Sequence, residues 1–316
     1  MDPFELERLA ERNRSMREAG IALLFASGLL ALFLFSPFAP KQTSTVSVTV
    51  APSAAVPDAF AQVPIQAKAA IVYDLVTGQV LFAKNADAQL PLASLTKLLT
   101  VYAALNELSP DTPITISANA ARADYPRVFS AGQTFPFSDL ARLTLTASLN
   151  DGAAAIAEAT AARENLSQSD MLAGAAASLN LSQTYALNGN GLDVNKAISG
   201  GYGSAYDLAR LAGALVEQAP TIAEATINSS ARAVSMGGTS FTVMNTDPII
   251  DNIPRLLLSK TGYTDLAGGN LALVFDSGIK HPIAIVVLGS TQKARFTDGS
   301  ALVAATLAHF AGVSSL

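Results

Sequence analysis

The chain has no cysteine, and only two histidines, His281 and His309, in 316 residues. The first absence excludes disulfides, thiolate catalysis and cysteine-ligated zinc. The second leaves a Ser-His-Asp arrangement with two poor candidates. His281 precedes a proline at the start of a strand-like run, and His309 falls in the last helical turns. Both read as surface or packing side chains, so a serine nucleophile here needs another base, and lysine is the obvious substitute. Charge is also sparse: 14% of residues are charged, the net charge is −5 and there is no basic run. That balance argues against a nucleic-acid partner. Hydrophobic residues make up 50% of the chain, and the length allows one large domain or two.

The run from Ala19 to Ala39 carries no charge and at helical rise is long enough to cross a bilayer. Arg8, Arg12, Arg14 and Arg17 precede it, whereas only Lys41 follows closely. This asymmetry keeps the N-terminus in the cytoplasm and exports the remainder. The alternative is a cleaved signal peptide. Pro37-Phe38-Ala39-Pro40 makes a poor cleavage site, and Ala59-Phe60-Ala61 lies too far beyond the apolar run. The expected organisation is a cytoplasmic segment at 1–18, a retained single-pass membrane anchor at 19–39, an extended linker at 40–66 and an extracytoplasmic domain at 67–316.

Within that domain, Ala69 to Tyr73 and Gln79 to Ala83 are short apolar runs joined through Thr77-Gly78, which predicts a β-hairpin. Ser94 opens a helix whose Leu95, Leu98, Leu99, Tyr102 and Leu105 recur at helical spacing. Residues from about 109 to 224 are mostly helical in pattern and rich in alanine. Strand-like sequence returns at Ser240 to Met244, Arg255 to Lys260, Asn270 to Asp276 and Pro282 to Gly289, before a closing helix from about Asp298 to Ala311. Strands at both ends of a helical insert predict one antiparallel sheet drawn from distant parts of the chain. The glycine cluster at 200–203 follows no strand and lacks a Gly-Lys-Ser/Thr ending, which argues against a phosphate loop.

Three short motifs carry chemistry. Ser94-Leu95-Thr96-Lys97, Ser148-Leu149-Asn150 and Lys260-Thr261-Gly262 occur in that order. Ser-x-x-Lys, Ser-x-Asn and Lys-Thr-Gly together are the signature of serine acyl-transfer enzymes that act on penicillin. Rival strings exist at Ser277–Lys280, Ser290–Lys293, Ser117–Asn119 and Ser178–Asn180. Only Ser94 begins a clear amphipathic helix, where the dipole and unpaired amides favour a developing alkoxide. Lys97 lies one turn on, and desolvation beside another cation lets it take the serine proton. Ser148 sits in an interhelical loop, suited to relay a proton between Lys97 and a leaving amine. Asn150 is placed to bond the lysine or the substrate amide. Lys260 and Thr261 suit a substrate carboxylate, and Gly262 leaves room for an extended peptide against its strand. The amides of Ser94 and Tyr263 are expected to form the oxyanion hole. Nothing in this scheme calls for a cofactor or a metal.

With those motifs in place, the chain resembles the D-alanyl-D-alanine carboxypeptidases, the low-molecular-mass penicillin-binding proteins. The similarity runs across nearly all of residues 66–290. Besides the motifs it includes Ala67 to Asp74, Lys84-Asn85-Ala86-Asp87, Asn150-Asp151, Gly191-Leu192, Ser204 to Leu208 and Lys260 to Asp265 with Ala267-Gly268. The resemblance implies an α/β (α+β) fold: an antiparallel five-stranded sheet flanked by helices, with an inserted, mostly helical lobe. It implies removal of the terminal D-alanine from peptidoglycan stem peptides, and β-lactam antibiotics as covalent inhibitors. Ser204 and Asp207 match the family too, but Ser-x-x-Asp before an apolar helix reads as a capping box.

Three departures stand out. Leu149 replaces a frequent glycine and is expected to narrow the cleft beside Ser148. Gly189-Asn190 replaces the usual proline-histidine. The chain ends after one closing helix, with the N-terminal span expected to take over anchoring. Two other functions share the fold or its motifs. A β-lactamase needs a glutamate that activates water, for which Glu164 is the nearest candidate, with Gln168 where asparagine is usual. A non-catalytic wall-binding scaffold would not need Ser94, Lys97, Ser148, Asn150 and Lys260 together.

Overall fold

Strands that are apolar at every position, rather than at alternate ones, must be covered on both faces, and the runs Leu271 to Phe275 and Ile283 to Leu288 have that character. The computed structural model describes residues 3–35, 58–278 and 280–312, with the side chains of 3–10 and 31–35 left out. Strands β1 (Ala69–Asp74) and β2 (Val80–Lys84) form the expected hairpin. Strands β3 (Leu256–Thr264), β4 (Gly268–Asp276) and β5 (Pro282–Ser290) follow near the C-terminus. They assemble in the order β3-β4-β5-β1-β2, all antiparallel, with Ile71 opposite Val286 where the two ends of the chain meet. Ala69 and Ile71 of β1, Ala272 and Val274 of β4, and Ala284, Val286 and Leu288 of β5 enter one core. Their neighbours Ala70, Val72, Leu271, Leu273, Phe275, Ile283, Ile285 and Val287 enter a second core on the opposite face.

The chain divides into two units, residues 1–54 and 55–316. The first holds helix α1 (Pro3–Phe35), which runs unbroken across the boundary expected at residue 18. Among the described residues no helix is long and apolar enough to cross a membrane. The expected span at 19–39 is therefore not carried by the structure. Residues 36–39 of that span lie outside the described residues. Residues 36–57, which contain most of the expected linker, lie outside the described residues.

In the second unit the larger core is built by α2 (Thr96–Glu107), α3 (Phe137–Ala147), α4 (Asn150–Glu164), α5 (Gln168–Ser178), α6 (Ala205–Gln218) and α7 (Pro220–Ala225). Helix α2 is buried at every position from Thr96 to Ala104, as a helix wrapped by others must be. Helix α8 (Ala294–Ala311) covers the second face. Packed chain starts earlier than residue 67. Phe60 is buried in the second core, its ring 5.8 Å from Phe82 and 5.7 Å from His309. The Asp298 carboxylate accepts the amides of Gln66 and Ala67 and the Ser290 hydroxyl. Asp298 thus lies inside α8 and not at its start, because its acceptors are committed to the incoming chain.

Candidate active site

Ser94 lies in a 3-10 turn, Ala93–Leu95, that leads into α2. The turn is held from two sides. Asn270 of β4 is fully buried, and its Nδ2 donates to the carbonyls of Pro91 and Leu92, 3.0 Å to each. Its Oδ1 accepts the Gly289 amide at 2.8 Å. From the other side the 187–203 loop presses close. A Cβ on Gly191, which has φ +77°, would lie 2.0 Å from the Ala93 carbonyl oxygen. Only glycine tolerates both that backbone conformation and that approach.

Lys97 is completely buried. Its Nζ is 2.8 Å from Ser94 Oγ, 2.7 Å from Asn150 Oδ1 and 2.7 Å from the Asn190 carbonyl oxygen. The orientation of Asn150 is fixed, since its Nδ2 donates to the carbonyls of Asp124 and Tyr125. Asn150 Oδ1 and the Asn190 carbonyl can only accept. A neutral Lys97 has two hydrogens for those two acceptors, and its lone pair then faces the Ser94 hydroxyl. Burial, and then the charge of Lys260, hold the Lys97 ammonium well below its ordinary range, against a smaller opposing pull from Asp151. The pair is thereby arranged for proton transfer from serine to lysine.

Ser148 caps α3 in the left-handed region, with φ 57° and ψ 37°, and Asn150 starts α4. Asp151 ties the opposite loop to that helix start by accepting the amides of Val128 and Phe129. The left-handed turn at Ser148 sends the next side chain inward: Leu149 is 2% exposed and packs in the larger core. The expectation that Leu149 narrows the cleft is therefore corrected. Ser148 Oγ accepts from Lys260 Nζ at 2.8 Å. The expected link from Ser148 to Lys97 gives way to one with Lys260, because β3 brings Lys260 up to the α3–α4 turn.

Lys260 is 1% exposed and also donates to the Thr261 carbonyl. Burial, with the Arg295 charge behind it, lowers its ammonium to about 7, despite an opposing pull from Asp247. The Thr261 hydroxyl is 2.7 Å from that of Thr246. A Cβ on Gly262 would lie 3.0 Å from the Leu92 carbonyl oxygen and 3.3 Å from the Ser94 amide nitrogen. Here the missing side chain lets β3 approach the nucleophile turn, which is a different reason from room for a peptide. Arg295 at the start of α8 donates to the Gly262 carbonyl at 2.6 Å, its guanidinium stacked 4.6 Å from the Phe296 ring. Tyr263 is 44% exposed at the open edge. Ser94, Lys97, Ser148, Asn150, Lys260, Thr261 and Gly262 are thus brought into one cleft.

The rival motifs are engaged elsewhere. Ser117 and Asn119 bond Glu158, Ser178 bonds the Ala175 carbonyl, Ser277 bonds the His281 carbonyl and Ser290 bonds Asp298. His281 pairs with Asp74, and His309 packs on Phe60 and Phe310. The Ser204 hydroxyl accepts the Asp207 amide as the capping box requires. Sequence reasoning missed Asn270, Arg295 and the Asn190 carbonyl. A polar residue at the head of the apolar run Leu271 to Phe275 was a signal for Asn270. Nothing marked a backbone oxygen.

Comparison with known proteins agrees with this geometry. The model of a family described as D-alanyl-D-alanine carboxypeptidase, Peptidase_S11, matches residues 54–292. The D-alanyl-D-alanine carboxypeptidase DacD of Salmonella typhimurium is 30% identical over 265 residues, which cover 80% of this chain and 65% of that protein. This chain thus spans about two thirds of that relative's length. A D-alanyl-D-alanine endopeptidase of Pseudomonas aeruginosa is also 30% identical, over 82% of this chain and 84% of that one. Penicillin-Binding Protein D2 of Listeria monocytogenes in its ampicillin-bound form superposes with a TM-score of 0.66 at 26% identity, covering 77% of this chain and 98% of that one. With the family's model spanning most of the folded domain and its three motifs meeting in one cleft, the chain belongs to the D-alanyl-D-alanine carboxypeptidase family of serine peptidases.

Proposed function

We propose that the protein removes the terminal D-alanine of peptidoglycan stem peptides through an acyl-enzyme on Ser94. The observation that carries this reading is the 2.8 Å contact between Ser94 Oγ and a buried Lys97 amine whose other two partners are obligate acceptors. Ser94 Oγ attacks the carbonyl carbon of the D-Ala–D-Ala amide while its proton passes to Lys97. The amides of Ser94 and Tyr263 take the oxyanion. Lys97 hands the serine proton on to the departing nitrogen, and Ser148, its oxygen held by Lys260, donates a hydrogen bond to that nitrogen. The C–N bond breaks and D-alanine leaves, its carboxylate drawn by Lys260 and Thr261. Water then cleaves the ester, giving its proton to Lys97, and Ser94 is restored.

β-Lactams enter the same route as acyl donors. Their leaving nitrogen stays tethered, which obstructs the water. A deacylating glutamate of the β-lactamase kind has no support, because Glu164 ends α4 fourteen residues beyond Asn150, roughly 21 Å along the axis. The penicilloyl-enzyme is therefore long-lived while the peptide turns over. Mass spectrometry of a stem pentapeptide incubated with the protein tests this reading: D-alanine release supports it, and rapid catalytic hydrolysis of benzylpenicillin refutes it. Membrane attachment through the uncharged run from Ala19, with the peptidase domain outside the cytoplasm, rests on the sequence asymmetry of Lys and Arg. Cell fractionation with external protease tests it, and a mature protein beginning at Gln62 would defeat it.

A further inference from the structure

The sheet has two ends, and the cleft occupies one of them. Gly262 of β3 stands opposite Asn270 of β4, and Asn270 holds the turn before Ser94. Six positions further along β4, about 20 Å at strand rise, Asp276 stands opposite Pro282 at the other end. There β1 runs into its hairpin turn, and the Leu75 amide donates to the Pro282 carbonyl. The Asp74 carboxylate accepts the amides of Val76 and Thr77 and pairs with His281. The His281 ring lies 5.1 Å from that of Phe310, in the last turn of α8. The β1–β2 turn, the β4–β5 turn and the end of α8 therefore form one surface, separated from Ser94 by the length of the strands.

That surface is largely apolar. Val76 is 58% exposed, Val80 47% and Phe310 42%. Beside them a hollow of about 480 Å³ is lined by Tyr73, Leu75, Ala214, Val216 and Pro282, with Arg210 and Glu217 as its charged groups. One cation and one anion leave the hollow without net charge. Lys280 is exposed in the β4–β5 turn and has no ion-pair partner among the described residues. The neighbouring Asp276 carboxylate is occupied by the amides of Gly278, Lys280 and His281. Apolar side chains bordered by a free ammonium suit a phospholipid surface, which presents acyl chains beneath phosphates.

Exposed apolar side chains occur elsewhere on the domain, so the occupant is decided by where the chain arrives. Residues 36–57 lie outside the described residues, and the chain resumes at Asp58. Phe60 packs on His309, the neighbour of Phe310, whereas Gln66 and Ala67 are held by Asp298, about three turns earlier in α8. The incoming chain thus starts at the apolar end and runs alongside α8 toward the cleft end. We infer that the end of the domain carrying Val76, Val80, Phe310 and the hollow at Leu75 and Pro282 rests on the phospholipid surface of the membrane, which turns Ser94 away from it. The inference rests on the membrane-attachment reading above and adds to it a contact face and an orientation.

The chain contains no tryptophan, so the single variants Val76→Trp, Phe310→Trp and Tyr125→Trp each report on one place. Tyr125 is 82% exposed, and its carbonyl accepts from Asn150 beside the cleft. Each full-length variant is reconstituted into vesicles of equal parts phosphatidylethanolamine and phosphatidylglycerol, with and without bromine on the acyl chains. Groups at the interface sit about 5–10 Å into the boundary between headgroups and acyl chains. Fluorescence from positions 76 and 310 is therefore expected to fall about twofold in the brominated vesicles, and that from position 125 to stay unchanged. Flotation of the vesicles separates the two levels of failure. Protein that floats while positions 76 and 310 are quenched no more than position 125 overturns the contact face and leaves attachment standing. Protein that does not float overturns attachment and the face with it. Emission from position 76 that shifts to the blue with rising protein concentration in detergent assigns the face to a second copy of the chain, which also overturns it.

Discussion

Replacing Lys260 with methionine should make the protein more stable at neutral pH while destroying its activity. The Lys260 ammonium is buried and its ordinary value near 10.5 is lowered to about 7, by desolvation first and the Arg295 charge second. At about 1.4 kcal/mol per pH unit, that gap corresponds to roughly 5 kcal/mol of folding stability. The sign follows from proton binding. Below pH 7 both folded and unfolded chains carry the proton, and the folded state bears the full penalty. Between about 7 and 10.5 only the unfolded chain binds it, so stability rises with pH. Methionine fills a similar volume without charge. It leaves Ser148 Oγ without its Lys260 partner, a loss of about 1–3 kcal/mol. The net gain at pH 7 is about 3 kcal/mol, or roughly 6–12 °C in Tm for a domain of this size. At pH 10 most of the lysine penalty has gone, and the variant should be equal to or less stable than the parent. Thermal unfolding followed by circular dichroism at both pH values decides it. A variant destabilised at pH 7, or a difference that does not depend on pH, would refute the placement of Lys260 as a buried, depressed ammonium.

Lys97→Arg should lose acylation as fully as Lys97→Ala, because a guanidinium stays protonated; stopped-flow labelling with a fluorescent penicillin measures it, and near-parental labelling of the arginine variant would exclude a lysine base. Leu149→Gly should destabilise the domain by about 3–5 kcal/mol through a core cavity and lost helix-flanking order, with no rise in peptide turnover; denaturant titration and D-alanine release together check this. A chain starting at residue 58 should keep full stability, whereas one starting at residue 67 loses Phe60 from the second core, for about 3 kcal/mol. Equal denaturation midpoints would show that Phe60 contributes nothing.

Much of this could be read in the sequence because the motifs recur with fixed order and local structure. The strand-like runs at both ends of the chain announced one antiparallel sheet, and the Thr77-Gly78 turn announced the hairpin. The three motifs marked residues that the fold brings together in one cleft. What escaped had long-range causes. Leu149 seemed to face the cleft because its motif neighbours do, and only the left-handed backbone at Ser148 turns it inward. Asn270 looked like a strand residue, although its amide fastens the segment before Ser94. The stretch around Phe60 read as tether since Ala59-Phe60-Ala61 lies in sequence with almost no charge, and its packing on Phe82 and His309 is invisible without the fold. Arg295 was passed over because Asp298 resembled a helix start, whereas its carboxylate holds Gln66 and Ala67 from inside α8.

The central claim is that Ser94 becomes the acyl carrier with Lys97 as its base. Intact-protein mass spectrometry after incubation with benzylpenicillin, followed by peptide mapping, reads that directly. One penicilloyl group should appear, on the peptide containing Ser94, and persist for minutes or more. It should be missing from Ser94→Ala and retained by Ser277→Ala and Ser290→Ala. An adduct that survives Ser94→Ala, or maps to another serine, would contradict the assignment.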